Sequence, residues 1–157
     1  MSNVASPAVS KRASLTSPVF EAYERGRQRQ PLLWGMAAVM ALLMAPTHVA
    51  YGLDSRTVNG IDVWTKPLKF EFSLVFFFGT LAWLWGYLPA ERTRGRILNA
   101  YALASAALIF LEVAYMIIQS ARGVASHFNQ STPLEAVLFA LMGIAAVIFT
   151  LFPVALA

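Results

Sequence analysis

The sequence predicts an all-α fold: a polytopic transmembrane bundle of four membrane-spanning helices. Three observations predict it. Of 157 residues, 58% are hydrophobic and 13% charged, with mean hydropathy +0.60, whereas a soluble domain carries about 25% charged residues. Four apolar runs each approach the roughly 20 residues that a bilayer core requires. The cations cluster beside those runs, as membrane topology signals do. The net charge of +4 is therefore read as topology, and nucleic acid is set aside as a partner. The absence of cysteine excludes disulfides, thiolate metal sites and thiol catalysis.

Residues 1–17, rich in Ser, Ala and Pro with Lys11 and Arg12, read as a disordered basic cytoplasmic tail. No apolar core follows the basic pair, so it is not a signal peptide. Ser17-Pro18 has the form of a helix cap and first position. Residues 18–30 then suit an interfacial amphipathic helix, with Val19, Phe20 and Tyr23 on one side, or a solvated basic linker.

The transmembrane domain is assigned to residues 31–157, as one domain. Its first crossing covers about 32–53, with Trp34 near one interface and Pro46, Thr47 and His48 interrupting the far end. The loop that follows holds Asn59-Gly60 between alternating apolar residues, the signature of a tight β-hairpin. The second crossing, about 68–88, is aromatic and carries Glu71 in its first turns. It offers large faces to lipid or to a partner, either a second copy or other membrane subunits. The third covers about 97–120 and the fourth 133–157. At the start of the fourth, Thr132, Pro133 and Glu135 form a capping-box pattern, which assigns Glu135 to structure. The run stays apolar to the last residue, so it either ends at the far headgroups or is the front part of a longer protein.

Lys11, Arg12, Arg25, Arg27, Arg29, Arg92, Arg94 and Arg96 fall on one side, and Arg56, Lys66, Lys69 and Arg122 on the other. Eight cations against four put the N-terminus in the cytoplasm. The unusual polar residues then gather in the outer half of the membrane.

The third crossing carries the chemistry. At about 100° per residue, Tyr101, Ser105, Glu112, Gln119 and Ser126 share a stripe, with Tyr115 and Arg122 on its shoulder. Lipid offers Glu112 no partner, so this seam must face protein or water. Arg122 is its nearest cation in sequence, but about 15 Å away along a straight helix, so a cation from another helix would suit Glu112 better. The candidate ligand-binding set is Glu71, Lys69, Glu112, Gln119, Arg122, His127 and Asn129. His48 and His127 are candidates for a metal, although no His-x-x-x-His or Glu-x-x-His spacing supports them.

At WTKPLKFEFS (Trp64 to Ser73) and RGVASHFN (Arg122 to Asn129) the chain resembles a group of uncharacterised bacterial multi-pass membrane proteins. These carry Lys-Pro-x-Lys-Phe before one helix and Arg-Gly-x-x-Ser-His-Phe-Asn after another. The resemblance implies a bacterial inner membrane. It points to Lys66, Pro67, Lys69, Phe70, Arg122, Gly123, Ser126, His127, Phe128 and Asn129 as an outer site, and it transfers no mechanism.

The expectation is a non-enzymatic membrane protein that binds a small ligand or a partner through this polar cluster. The cofactor is left open between haem, a metal ion and a quinone. A haem- or metal-dependent redox protein is one alternative. Half of a proton-coupled transporter, with Glu112 carrying the proton, is another.

Overall fold

The computed structural model describes residues 18–151. The expected tail (1–17) and the last part of the expected fourth crossing (152–157) lie outside the described residues. The described chain runs α1 (Pro18–Arg29), α2 (Pro31–Leu53), β1 (Thr57–Val58), β2 (Ile61–Asp62), α3 (Thr65–Trp85), α4 (Ala90–Thr93), α5 (Arg96–Arg122) and α6 (Pro133–Thr150). Among the described residues, α2, α3, α5 and α6 are long and apolar enough to cross a membrane. The all-α bundle with four spans is the fold.

The helix boundaries follow local chemistry. α3 begins at Thr65, earlier than the apolar run suggests, because Pro67 fits a first turn whose N–H groups have no intrahelical partner. α6 begins at Pro133, and the Thr132 hydroxyl accepts the Glu135 amide at 3.2 Å. The single turn α4 follows Pro89 and has no apolar pattern to announce it.

Leu33 and Met40 of α2, Phe78, Leu81 and Trp85 of α3, and Ile109, Val113 and Met116 of α5 form the core. On α5 the Ala102/Ala106 pair is buried, while Ala100 and Ala104 are exposed. α6 packs along α5 at the edge and buries little besides Glu135, Met142 and Ala145. Phe72, Phe76, Leu103, Leu111, Val137 and Leu141 lie on the outside. On spanning helices such side chains face lipid tails, which are as apolar as they are.

α1 is docked on the bundle. Ala22 and Gly26 of α1 meet Ala82 and Gly86 at the end of α3, small residues four apart on both helices. A Cβ on Gly26 would stand 2.1 Å from the Ala82 carbonyl oxygen, and one on Gly86 would stand 1.9 Å from that of Ala22. Only glycine permits so close an approach. Arg25 Nε then donates to the Gly86 carbonyl at 3.1 Å and Arg29 Nη1 to that of Leu88 at 3.1 Å, placing cations at the negative end of α3. Val19 and Phe20 remain exposed, so what α1 buries is its small residues.

The opposite end is closed by the hairpin. Thr57 pairs with Asp62 and Val58 with Ile61, and Asn59 and Gly60 both have positive φ, 54° and 76°, as a primed two-residue turn requires. Asp54 ties the loop together. Its carboxylate accepts from Arg56 Nε at 2.9 Å, Arg56 Nη2 at 2.7 Å and Trp64 Nε1 at 2.8 Å. Arg56 Nη2 also donates to the Ala121 carbonyl at 3.0 Å, at the end of α5. The Ser120 hydroxyl donates to the Val63 carbonyl at 2.7 Å. Gly123, at φ 72°, ends α5 in the left-handed conformation, and a Cβ there would stand 3.0 Å from Arg56 Nη1. The Arg56 guanidinium rests where that side chain would be.

Candidate functional site

The polar seam of α5 is buried: Ser105 and Gln119 are fully so, Glu112 is 7% exposed and Ser126, just beyond the helix, is 7% exposed. Glu112 and Ser126 belong to one group of contacts and Gln119 to another, while Ser105 Oγ is buried without a hydrogen-bond partner among the described residues. In the first, Glu112 Oε1 lies 3.6 Å from His127 Nε2, while His127 Nδ1 is 3.1 Å from the Ser126 hydroxyl. The partner of Glu112 is thus an imidazole carried back by the α5–α6 loop. Lys66, at the start of α3, is near enough for its charge to act on Glu112. Its Nζ also sits 6.0 Å from the Phe70 ring centroid.

The second group is built on Glu135. Its carboxylate accepts from the Tyr115 hydroxyl at 2.8 Å, Gln119 Nε2 at 2.5 Å and Arg122 Nη1 at 2.8 Å. Arg122 Nη1 also donates to Gln119 Oε1 at 2.6 Å. Half of the expected capping box forms, through Thr132, but the carboxylate turns away to gather three α5 side chains. Sequence reasoning therefore missed Glu135 as a member of the polar cluster. The available signal was a second carboxylate in the first turn of α6, opposite the cation that Glu112 was too far along α5 to use.

The remaining candidates lie apart from these groups. Glu71 is fully buried between α3 and α2, with Oε1 at 2.8 Å from the Thr47 hydroxyl. His48 is exposed, with Nδ1 at 3.0 Å from the Met44 carbonyl of its own helix. No contact among the described residues joins it to His127, and no group of three or more His, Asp and Glu side chains with metal-holding geometry occurs there. Lys69 is exposed on α3. Asn129 Oδ1 accepts from the Ser131 amide at 3.1 Å and its hydroxyl at 2.7 Å, so it shapes the loop.

Two cavities meet at Phe70 and His127. The first, about 310 Å³, lies under the hairpin, among Ile61, Asp62, Val63, Lys66, Ser126 and Phe128. The second, about 220 Å³, runs between α3, α5 and α6, past Glu112, Leu74, Ile109 and Val113 to Ala146 and Phe149. The His127 ring lies 6.2 Å from Phe70 and 6.4 Å from Phe139, centroid to centroid. The arrangement can hold a small molecule against aromatic rings, with an ammonium donor on one side and a carboxylate-backed imidazole on the other.

Fold and site together define a class: a helical membrane protein with four spans, closed at one end by a hairpin over a partly polar cavity. Compared with protein-family models, curated proteins and solved structures, the chain matches none of them.

Proposed function

We propose that this is a small-ligand-binding protein of a bacterial inner membrane, with its N-terminus in the cytoplasm and its binding site beneath the hairpin in the outer half of the bundle. One observation carries the proposal: His127, backed by Glu112, and Phe70, beside Lys66, together form the wall shared by two cavities. The eight-to-four distribution of cations supports the orientation.

Native mass spectrometry of the full chain released from native lipid tests this. A small molecule retained in defined stoichiometry is expected. Glu112→Gln and His127→Ala are expected to lose it, while Glu91→Ala, on the α4 turn, keeps it. Retention that is equal across all four proteins would overturn the site. A Soret band or stoichiometric metal in the purified protein would replace the proposal with a haem or metal centre.

A further inference from the structure

The second cavity is almost entirely apolar beyond Glu112, and it does not end at the core. A third space of about 250 Å³ continues along α3, lined by Phe70, Ser73, Leu74, Phe77 and Phe149. Ser73 and Phe70 lie on the exposed surface of α3. That helix spans the membrane, so the surface around this mouth is lipid. The cavity beneath the hairpin and an opening within the bilayer between α3 and α6 therefore adjoin at the Phe70 side chain, which lines both.

Charge narrows the ligand class. Lys66 is the one cation lining the described cavities, and two carboxylates, Asp62 and Glu112, lie at the same walls. Arg122 is engaged with Glu135. No surplus positive charge is left for a phosphate or carboxylate head, which would meet Asp62 and Glu112 without compensation. What the site does offer is the Lys66 ammonium, the imidazole of His127, and the contacting Phe70–His127 ring pair, against which a further ring packs.

We infer that the ligand is a neutral amphipath of the quinone class: its carbonyl-bearing ring packs beneath the hairpin against Phe70 and His127, and its apolar tail lies in the α3–α6 cleft, through which it arrives from the membrane. The inference rests on the ligand site proposed above and adds the head chemistry, the tail and the route. The Lys66 ammonium donates to a ring carbonyl. Leu74, Ile109, Val113, Ala146 and Phe149 take up the tail. Together the spaces reach the size of small-molecule sites, roughly 300–1,000 Å³.

The test uses the full chain in phosphatidylcholine nanodiscs and three probes: a benzoquinone with a ten-carbon tail, the same ring without the tail, and decyl phosphate. The tailed quinone is expected to bind at least about tenfold more tightly than either of the others, which is within what burying a few methylenes supplies. Ala146→Phe in the cleft and Ser73→Phe at its mouth are expected to weaken the tailed quinone about tenfold and leave the tail-less ring unchanged. Both positions are partly or fully exposed, and an unchanged thermal melt confirms that each variant is folded. Lys66→Met and His127→Ala are expected to weaken both quinones. Tighter binding of decyl phosphate, or no binding of the tailed quinone, overturns the neutral head. Indifference of the tailed quinone to both phenylalanine substitutions overturns the cleft and route, and continued sensitivity to His127→Ala would then leave the site itself standing. Indifference to His127→Ala and Lys66→Met, with the quinone still bound, overturns the site beneath the hairpin.

Discussion

The Arg122 guanidinium at the end of α5 and the Glu135 carboxylate in the first turn of α6 lie 2.8 Å apart, within a network that ties α6 to α5. The Arg122 side chain is 57% exposed, so screening leaves its charge attraction little weight. The buried hydrogen bonds of Glu135 with Gln119 and Tyr115 matter more. Glu135→Gln retains shape and part of that network, whereas Glu135→Ala removes the acceptor that Tyr115, Gln119 and Arg122 share. Thermal unfolding in detergent is expected to show a clearly larger drop in Tm for Glu135→Ala than for Glu135→Gln. The difference is expected to survive 0.5 M salt, roughly a 4 Å screening length. A drop that vanishes with salt would assign the contact to surface charge alone.

Gly26→Ala and Gly86→Ala test the docking of α1. Each Cβ would meet a backbone carbonyl at about 2 Å, at 2.1 and 1.9 Å respectively, and neither carbonyl can rotate away within its helix. The substitution forces the helices apart, at a cost of about 1–3 kcal/mol. The same displacement pulls Arg25 and Arg29 from the Gly86 and Leu88 carbonyls. Trypsin is then expected to cut after Arg25 and Arg29 faster than in the parent chain, with the four spans still protected. Unchanged cleavage would show that α1 does not depend on this contact.

Asp54 sets the acid limit of the hairpin end. The Arg56 guanidinium, and after it the Trp64 indole N–H, hold the Asp54 carboxyl well below the usual carboxylate range. Asp54 in turn raises Arg56. The folded form of Asp54 binds its proton less readily than the unfolded one. Its contribution is therefore complete above the unfolded value, near 3.9, and is lost as pH falls from there toward the lower folded value. Trp64 fluorescence is expected to stay constant from pH 8 to about pH 4 and to change only below it. Asp54→Asn is expected to show the low-pH signal throughout. A transition between pH 5 and 7 in the parent chain would overturn this account.

The four spans were legible because the bilayer imposes length and apolarity on each segment separately, and Pro31 and Pro133 mark their starts without reference to tertiary structure. Asn59-Gly60 was legible for the same reason, since its turn needs only local backbone angles. The buried stripe Ser105–Glu112–Gln119 followed from the helical period. Partner choice was not legible. Glu112 took His127 and Glu135 took Arg122 because the α5–α6 loop, turned by Gly123 and by Phe128 at φ 57°, brings back residues that sequence distance does not order. The pairing of Ala22 and Gly26 with Ala82 and Gly86 was hidden as well, because small residues four apart are common in apolar helices and do not name their partner.

Thr47 and Glu71 give the most direct measure of a polar contact inside the spans. The Thr47 hydroxyl lies 2.8 Å from Glu71 Oε1 and 2.9 Å from the Leu43 carbonyl, and Glu71 Oε2 is buried with no hydrogen-bond partner. Thr47→Val keeps the shape and removes the hydroxyl, leaving both carboxyl oxygens of a fully buried side chain without a protein partner, so a loss of about 1–3 kcal/mol is expected. Thr47→Ser restores the hydroxyl and is expected to recover most of it. Removing both polar groups, as Thr47→Val with Glu71→Leu, leaves nothing unsatisfied and is expected to be closer to the parent than Thr47→Val alone. Equilibrium unfolding of the parent, Thr47→Val, Glu71→Leu and the double variant gives the coupling energy directly. Single losses that simply add in the double variant would show that Thr47 and Glu71 act independently, and that Glu71 is held by its packing against α2 rather than by this hydrogen bond.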